Sequence, residues 1–112
     1  MTLTAKHCTA CHKDAKALDA QETQNLLRDI PGWEISEDGT WLTRSYKFKN
    51  FVQALAFVGK VGAIAESEGH HPDIGLGWGY VNIRLQTHAI GGLHENDFIV
   101  AAKIEEIQQV VK

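Results

Sequence analysis

The sequence predicts an α+β two-layer sandwich: a four-stranded antiparallel sheet with three helices on one face, in the order α-β-β-α-β-β-α. Three observations predict it. Paired apolar-patterned segments around a Gly-containing turn occur twice, and each pair reads as a hairpin. Apolar residues recur at helical spacing before, between and after these pairs. The chain is 112 residues long, 44% hydrophobic and 22% charged, which suits one globular domain and neither a disordered nor a fibrous chain. Two hairpins pair most simply as one sheet, and three helices with one apolar stripe each cover one of its faces.

In chain order, Asp19 caps the first helix and Glu22, three residues on, completes a capping box. Leu26, Leu27 and Ile30 form its apolar face, and Pro31-Gly32 ends it. Residues 33–35 and 40–48 are the first hairpin, turning at Glu37-Asp38-Gly39. Asn50 caps a long second helix, with Phe51, Leu55, Val58, Gly62 and Ala65 as its predicted core stripe and Ala54 and Val61 flanking it. Phe57 and Ile64 lie off that stripe and are expected as a second apolar edge, suited to contact between subunits. Gly69 stops the helix. Residues 74–78 and 81–87 are the second hairpin, turning at Gly79. In its second strand Val81, Ile83, Leu85 and Thr87 share one face, and Asn82, Arg84, Gln86 and His88 the other. Gly91-Gly92 breaks the chain before a last helix over about residues 95–110, whose stripe is Val100, Ile104, Ile107 and Val111. The sheet face with Arg84 and His88 is left for solvent, a ligand or a partner.

Eleven Lys and Arg against fourteen Asp and Glu give a net charge of −3. With no basic run, direct nucleic-acid binding is not expected. The most apolar stretch, residues 51–65, is interrupted by Gln53, Gly59, Lys60 and Gly62, which marks an amphipathic helix and not a membrane span. The N-terminal residues lack the charged-then-apolar order of a secretory signal, so a cytoplasmic location is expected. Residues 1–17 are expected as a flexible arm and residues 18–112 as a single domain. The arm contains Cys8-Thr9-Ala10-Cys11-His12, formally a C-x-x-C-H pattern. Covalent haem attachment, half of a zinc site and a pair of reduced thiols all fit it. Haem needs export and a distal ligand, and zinc needs two more ligands where only His7 and His12 are near. Reduced thiols are the plainest reading.

Of six histidines, His70, His71 and His88 fall around the second hairpin. Each alone reads as an exposed polar residue. Their placement changes that reading. Glu66 stands four residues before His70 at the same helix end. His88 ends the strand that returns towards His70-His71-Pro72. Asp97 shares a helix face with Val100 and Ile104 and so points inward, as a cap or as a site residue. Three imidazoles and two carboxylates thus converge near one end of the sheet. Such a cluster suits a metal site, as in a metal-dependent hydrolase, or proton transfer near neutral pH, and polar residues without any chemistry are the third reading. Adjacent His70 and His71 point different ways in an extended segment and can hardly share one ion, which favours proton transfer.

The string Glu66-Ser67-Glu68-Gly69-His70-His71-Pro72-Asp73-Ile74, followed by Trp78, Thr87-His88, Gly91-Gly92-Leu93 and Asp97-Phe98, resembles the signature of the pterin-4a-carbinolamine dehydratase family. A mammalian member of that family doubles as the dimerisation cofactor of a homeodomain transcription factor. The resemblance runs over residues 18–111 and includes the helix–hairpin–helix–hairpin–helix order. One departure is Phe98, where the family often has Trp; the aromatic bulk is kept, so packing is expected to change more than chemistry.

The resemblance implies loss of water from 4a-hydroxytetrahydrobiopterin to give quinonoid dihydropterin, which recycles the cofactor of aromatic amino acid hydroxylases. The 4a-hydroxyl leaves only when protonated, and N5 must release its proton as the C=N bond forms. One group donates while another accepts. The reaction involves no redox change, so neither a metal nor another cofactor is expected. By the same resemblance His70 and His88 are the acid–base pair, and His71 binds substrate and relays protons. Glu66 orients His70 or bonds the pterin, and Asp97 orients His88. Pro72 and Trp78 are assigned to substrate binding; Trp78 walls the flat ring, and Trp33, assigned first to core packing, is the other candidate for that wall. A homodimer or homotetramer and a functional link to a hydroxylase are the expected partners. A protein-interaction module is the rival from another class.

Overall fold

The computed structural model of the chain describes residues 3–8 and 16–111, with side chains as far as residue 107. Helix α1 (Ala20–Leu27) begins at the expected capping box: Asp19 accepts from the Glu22 amide at 2.8 Å, and Glu22 accepts from the Asp19 amide at 3.0 Å. It ends a turn before Pro31, because Asp29 and Ile30 bond back to Leu26 and Leu27 and tighten the chain. Strands β1 (Glu34–Ile35) and β2 (Leu42–Lys47) are shorter than the apolar pattern suggests. Asp38 organises the intervening loop by accepting from Ser36 Oγ and from the amide and hydroxyl of Thr40.

Helix α2 (Phe51–Glu68) is capped by the Asn50 side chain and stopped by Gly69 in the left-handed region, at φ 64°. Its buried stripe differs from the expected one. Ala54, Phe57, Val61 and Ala65 face the core, whereas Phe51 and Leu55 are 43% and 50% exposed. This helix is apolar around much of its circumference, so spacing leaves its rotation open by one residue, about 100°. Phe57 settles it, because its ring packs on Tyr46 and Phe48 with centroids 4.8 and 5.2 Å away. The exposed apolar edge is therefore Phe51, Val52 and Leu55, and not Phe57 with Ile64.

Strands β3 (Asp73–Gly77) and β4 (Tyr80–Leu85) form the second hairpin, and helix α3 (Glu95–Val111) follows. The sheet order is β1-β2-β4-β3, antiparallel throughout. Val81, Ile83 and Leu85 are fully buried beneath the helices, while Asn82 and Arg84 are exposed on the opposite face. Helix α3 is the most deeply set, with residues 96–102 and Ile104 all buried. Phe98 is among them, so the aromatic at this position is a core residue. Trp33 is also core: it is buried, and its indole Nε1 donates to Glu105 at 3.0 Å.

Part of the segment expected as an arm lies on the domain. Leu3 is buried, Lys6 pairs with Glu95 at 2.8 Å, and the Cys8 amide donates to Glu68 at 2.8 Å. Cys11 and His12, and with them the C-x-x-C-H pattern as a unit, lie outside the described residues. Among the described residues no helix is long and apolar enough to cross a membrane.

Candidate active site

Three elements end together: α2 at Gly69, β4 towards Thr87, and the beginning of α3. The left-handed Gly69 closes the helix and lets the His70 amide reach back to the Ala65 carbonyl at 3.2 Å. His70 is thereby thrown off the helix direction and towards α3. Pro72 then holds His71 extended, as proline does to its predecessor, so the two imidazoles diverge.

Asp97 is the centre of the site. It is fully buried, and its Oδ1 lies 2.6 Å from His70 Nε2. Its Oδ2 accepts from the Thr87 hydroxyl at 2.8 Å and from the His94 amide at 3.0 Å. The His94 imidazole in turn accepts from the Asn96 amide at 3.1 Å, so this histidine acts as a helix cap. Asp97 is thus both a cap on α3, where the helix dipole favours an anion, and a partner of His70. An ionised carboxylate only accepts, so it takes this bond from an N–H at His70 Nε2, the tautomer that leaves Nδ1 without a proton. Side-chain exposure of His70 is 12%, enough to meet a ligand from one side.

The recess beside this pair has a volume of about 230 Å³ and is lined by Gly69, His70, His71, Gln86, Thr87, His88 and Ala89. His71 Nε2 stands 3.3 Å from Glu66 Oε1, and both side chains are mostly exposed. His88 lies at the rim in a single 3₁₀ turn (His88–Ile90), its ring edge-on to Trp41 at 5.9 Å. Trp41 in turn carries the Arg84 guanidinium 4.0 Å above its ring.

The structure therefore brings His70, His71 and His88 to one recess, with Asp97 on His70 and Glu66 on His71, while Pro72 only follows His71 in the chain and does not line the recess. It exchanges the expected carboxylate partners: Asp97 holds His70 and not His88, and Glu66 holds His71 and not His70. Trp78 is not brought in. It is 72% exposed at the turn between β3 and β4, a strand's length of roughly 16 Å from the histidine end of the hairpin. Two participants escaped the sequence reading. Thr87, placed on the inward face, supplies a bond to Asp97. Trp41 follows from register: Leu42 pairs with Leu85, which puts Trp41 beside Gln86 on the Arg84 face, but that register is legible only once β2 is known to pair with β4. Among the described residues, no three His, Cys, Asp or Glu side chains are grouped so as to hold a metal ion.

Residues 16–107 match the family model described as Pterin 4 alpha carbinolamine dehydratase. A Methylococcus capsulatus protein bearing that family name is 53% identical over 106 residues, spanning 95% of this chain and 93% of its own. Pterin-4-alpha-carbinolamine dehydratase 2, mitochondrial, of Arabidopsis thaliana is 50% identical over 110 residues, 95% of this chain and 59% of that protein. Among solved structures, a transcriptional coactivator/pterin dehydratase from Brucella melitensis superposes with a TM-score of 0.78 at 33% identity, covering 82% of this chain and 98% of that one. With a match over most of its length to the family model and relatives of about half identical sequence, the chain belongs to the pterin-4-alpha-carbinolamine dehydratase family.

Proposed function

We propose that this protein dehydrates 4a-hydroxytetrahydrobiopterin to quinonoid dihydropterin by histidine acid–base catalysis, and so recycles the cofactor of aromatic amino acid hydroxylases. The observation that carries the reading is the His70–Asp97 pair opening on a recess shared with His71 and His88. In the reaction the C4a–O bond breaks and N5 loses its proton as C4a=N5 forms. One proton is delivered to the leaving hydroxyl and one is taken from N5, so no net proton is consumed.

His70 suits the accepting role. Its Nε2–H is fixed on Asp97, Nδ1 is the remaining base, and the imidazolium formed on protonation gains a buried counter-ion. His88 suits the donating role: it is exposed, and no carboxylate among the described residues pairs with it. His71, in an exposed pair with Glu66, binds the pterin and returns protons to solvent. The working form is a homodimer or homotetramer, in keeping with the exposed Phe51, Val52, Leu55 and Trp78.

The test is the dehydration rate of enzymatically generated 4a-carbinolamine, followed by ultraviolet absorption with chelator-treated protein. His70→Ala and His88→Ala should each lower kcat/KM by roughly 10²–10⁴-fold, the usual size of a general acid–base contribution. Near-wild-type rates in both folded variants would remove the assignment.

A further inference from the structure

The N-terminal segment is fastened beside both halves of the His70–Asp97 pair, although the acid–base steps make no use of it. Residues Leu3–Ala5 form a 3₁₀ turn against α3, and Leu3 is buried in the core. Lys6 then pairs with Glu95 at 2.8 Å. The Cys8 amide donates to Glu68 at 2.8 Å, and the Cys8 thiol donates to the Asn96 carbonyl at 3.6 Å. Resting on the dehydratase reading, we propose that residues 3–8 are a strap that positions Asp97 against His70, with Leu3, Lys6 and Cys8 as positioning residues.

The first argument is adjacency. Glu95 and Asn96 directly precede Asp97, and Glu68 stands two residues before His70. The strap therefore holds the start of α3 and the end of α2, in each case within two residues of the pair. The second is the demand of the bond. His70 and Asp97 are 27 residues apart in the chain, and their 2.6 Å contact tolerates a drift of only about 0.5 Å. Between Glu68 and His70 lies only Gly69, whose left-handed backbone has open space where a side chain would be. The direction of His70 thus depends on how firmly Glu68 is held. The third is water. Asp97 and Asn96 are fully buried, whereas Lys6 and Cys8, which lie against this helix end, are partly exposed and form the layer facing solvent. A hydrogen bond to a buried charge is strong only while water is kept from it. Lys103 holds Glu68 from α3 at 2.7 Å without help from the strap, so a loosened strap leaves the two helices joined.

The experiment uses the full chain with Leu3→Ala and Lys6→Ala combined, and reads two protons by low-field NMR in water without substrate. One is the His70 imidazole proton bonded to Asp97, identified by its loss in His70→Ala. The other is the Trp33 indole proton, bonded to Glu105 about two turns further along α3, which reports on the rest of the core. In the double variant the His70 proton should exchange with solvent roughly tenfold faster or more, with the Trp33 proton unchanged. In the dehydration assay kcat should fall roughly three- to tenfold while KM stays within about twofold, the mark of a displaced catalytic pair. Lys6→Arg, which keeps the ion pair, should behave as wild type. Unchanged exchange at His70 in the double variant, or equal acceleration at His70 and Trp33, overturns the strap; the second result is a general loss of stability. A kcat near that of wild type despite faster exchange at His70 overturns its part in catalysis. A wild type that dehydrates nothing overturns the dehydratase reading instead, and the exchange rates still decide the strap.

Discussion

Asp97 receives three hydrogen bonds on two oxygens, and this decides what a substitution there does. In Asp97→Asn one acceptor becomes a donor. The Thr87 hydroxyl can rotate to suit it, but the His94 amide cannot. Keeping an oxygen towards His94 therefore sets the new N–H₂ against His70 Nε2, which must give up its proton to Nδ1. The tautomer is then wrong for a base, and kcat should fall by roughly 10²–10⁴-fold. The crowded bonds should also lower stability by about 1–3 kcal/mol, read by denaturant unfolding. A kcat within threefold of wild type would show that His70 does not carry the proton. The sequence made His70, His71, His88, Glu66 and Asp97 legible as one cluster but not their partners. Spacing of i to i+4 pairs side chains only while the helix continues, and the left-handed Gly69 interrupts it between Glu66 and His70. The arm residue Cys8 is a contrasting case: burial, then the charge of Glu68, push its thiol up to about 12, so it is not a nucleophile near neutral pH.

Glu68 ties α2 to α3 and to the N-terminal segment. Its carboxylate is almost fully buried and accepts from Lys103 at 2.7 Å, the Cys8 amide at 2.8 Å and His7 at 3.0 Å. Burial alone would raise its pKa, but the bonds from Lys103, Cys8 and His7 outweigh it and bring the group down to about 2 from an ordinary 4.5. A folded value below the unfolded one stabilises the protein above the unfolded value, and that contribution is lost as pH falls towards the folded one. The melting temperature of the wild type should therefore drop more steeply below about pH 4.5 than that of Glu68→Gln. Parallel slopes would mean that this contact contributes nothing to acid stability. Element order, both helix caps and the inward face of β4 were legible because each rests on local chemistry, such as Asp19 with Glu22 or Asn50 with Gln53. The rotation of α2 was not, because a ring on another element, Tyr46 or Phe48, chooses which apolar side is buried.

The exposed apolar residues and the histidines occupy opposite ends of the protein. Phe51 and Val52 open α2 at the end where Phe48 bonds to Gly79, and Trp78 and Tyr80 flank that turn. His70, His71 and His88 lie where α2 closes. Light scattering at micromolar concentration should give at least a dimer, and Leu55→Glu should shift it towards monomer; a strictly monomeric wild type would rule out the proposed assembly. The strand order has a further consequence. Strands β2 and β4 are neighbours in the sheet although α2 and β3 lie between them in the chain, and Leu42 meets Leu85 across some forty residues. Pairings so distant form late when a chain refolds, after local turns and hairpins. Thr87 reaches Asp97 from the end of that same β4 strand, and His70 reaches it from the far end of α2. A chain in which only the local elements have formed lacks the His70–Asp97 pair, so under the proposed mechanism catalytic competence is the last thing folding confers.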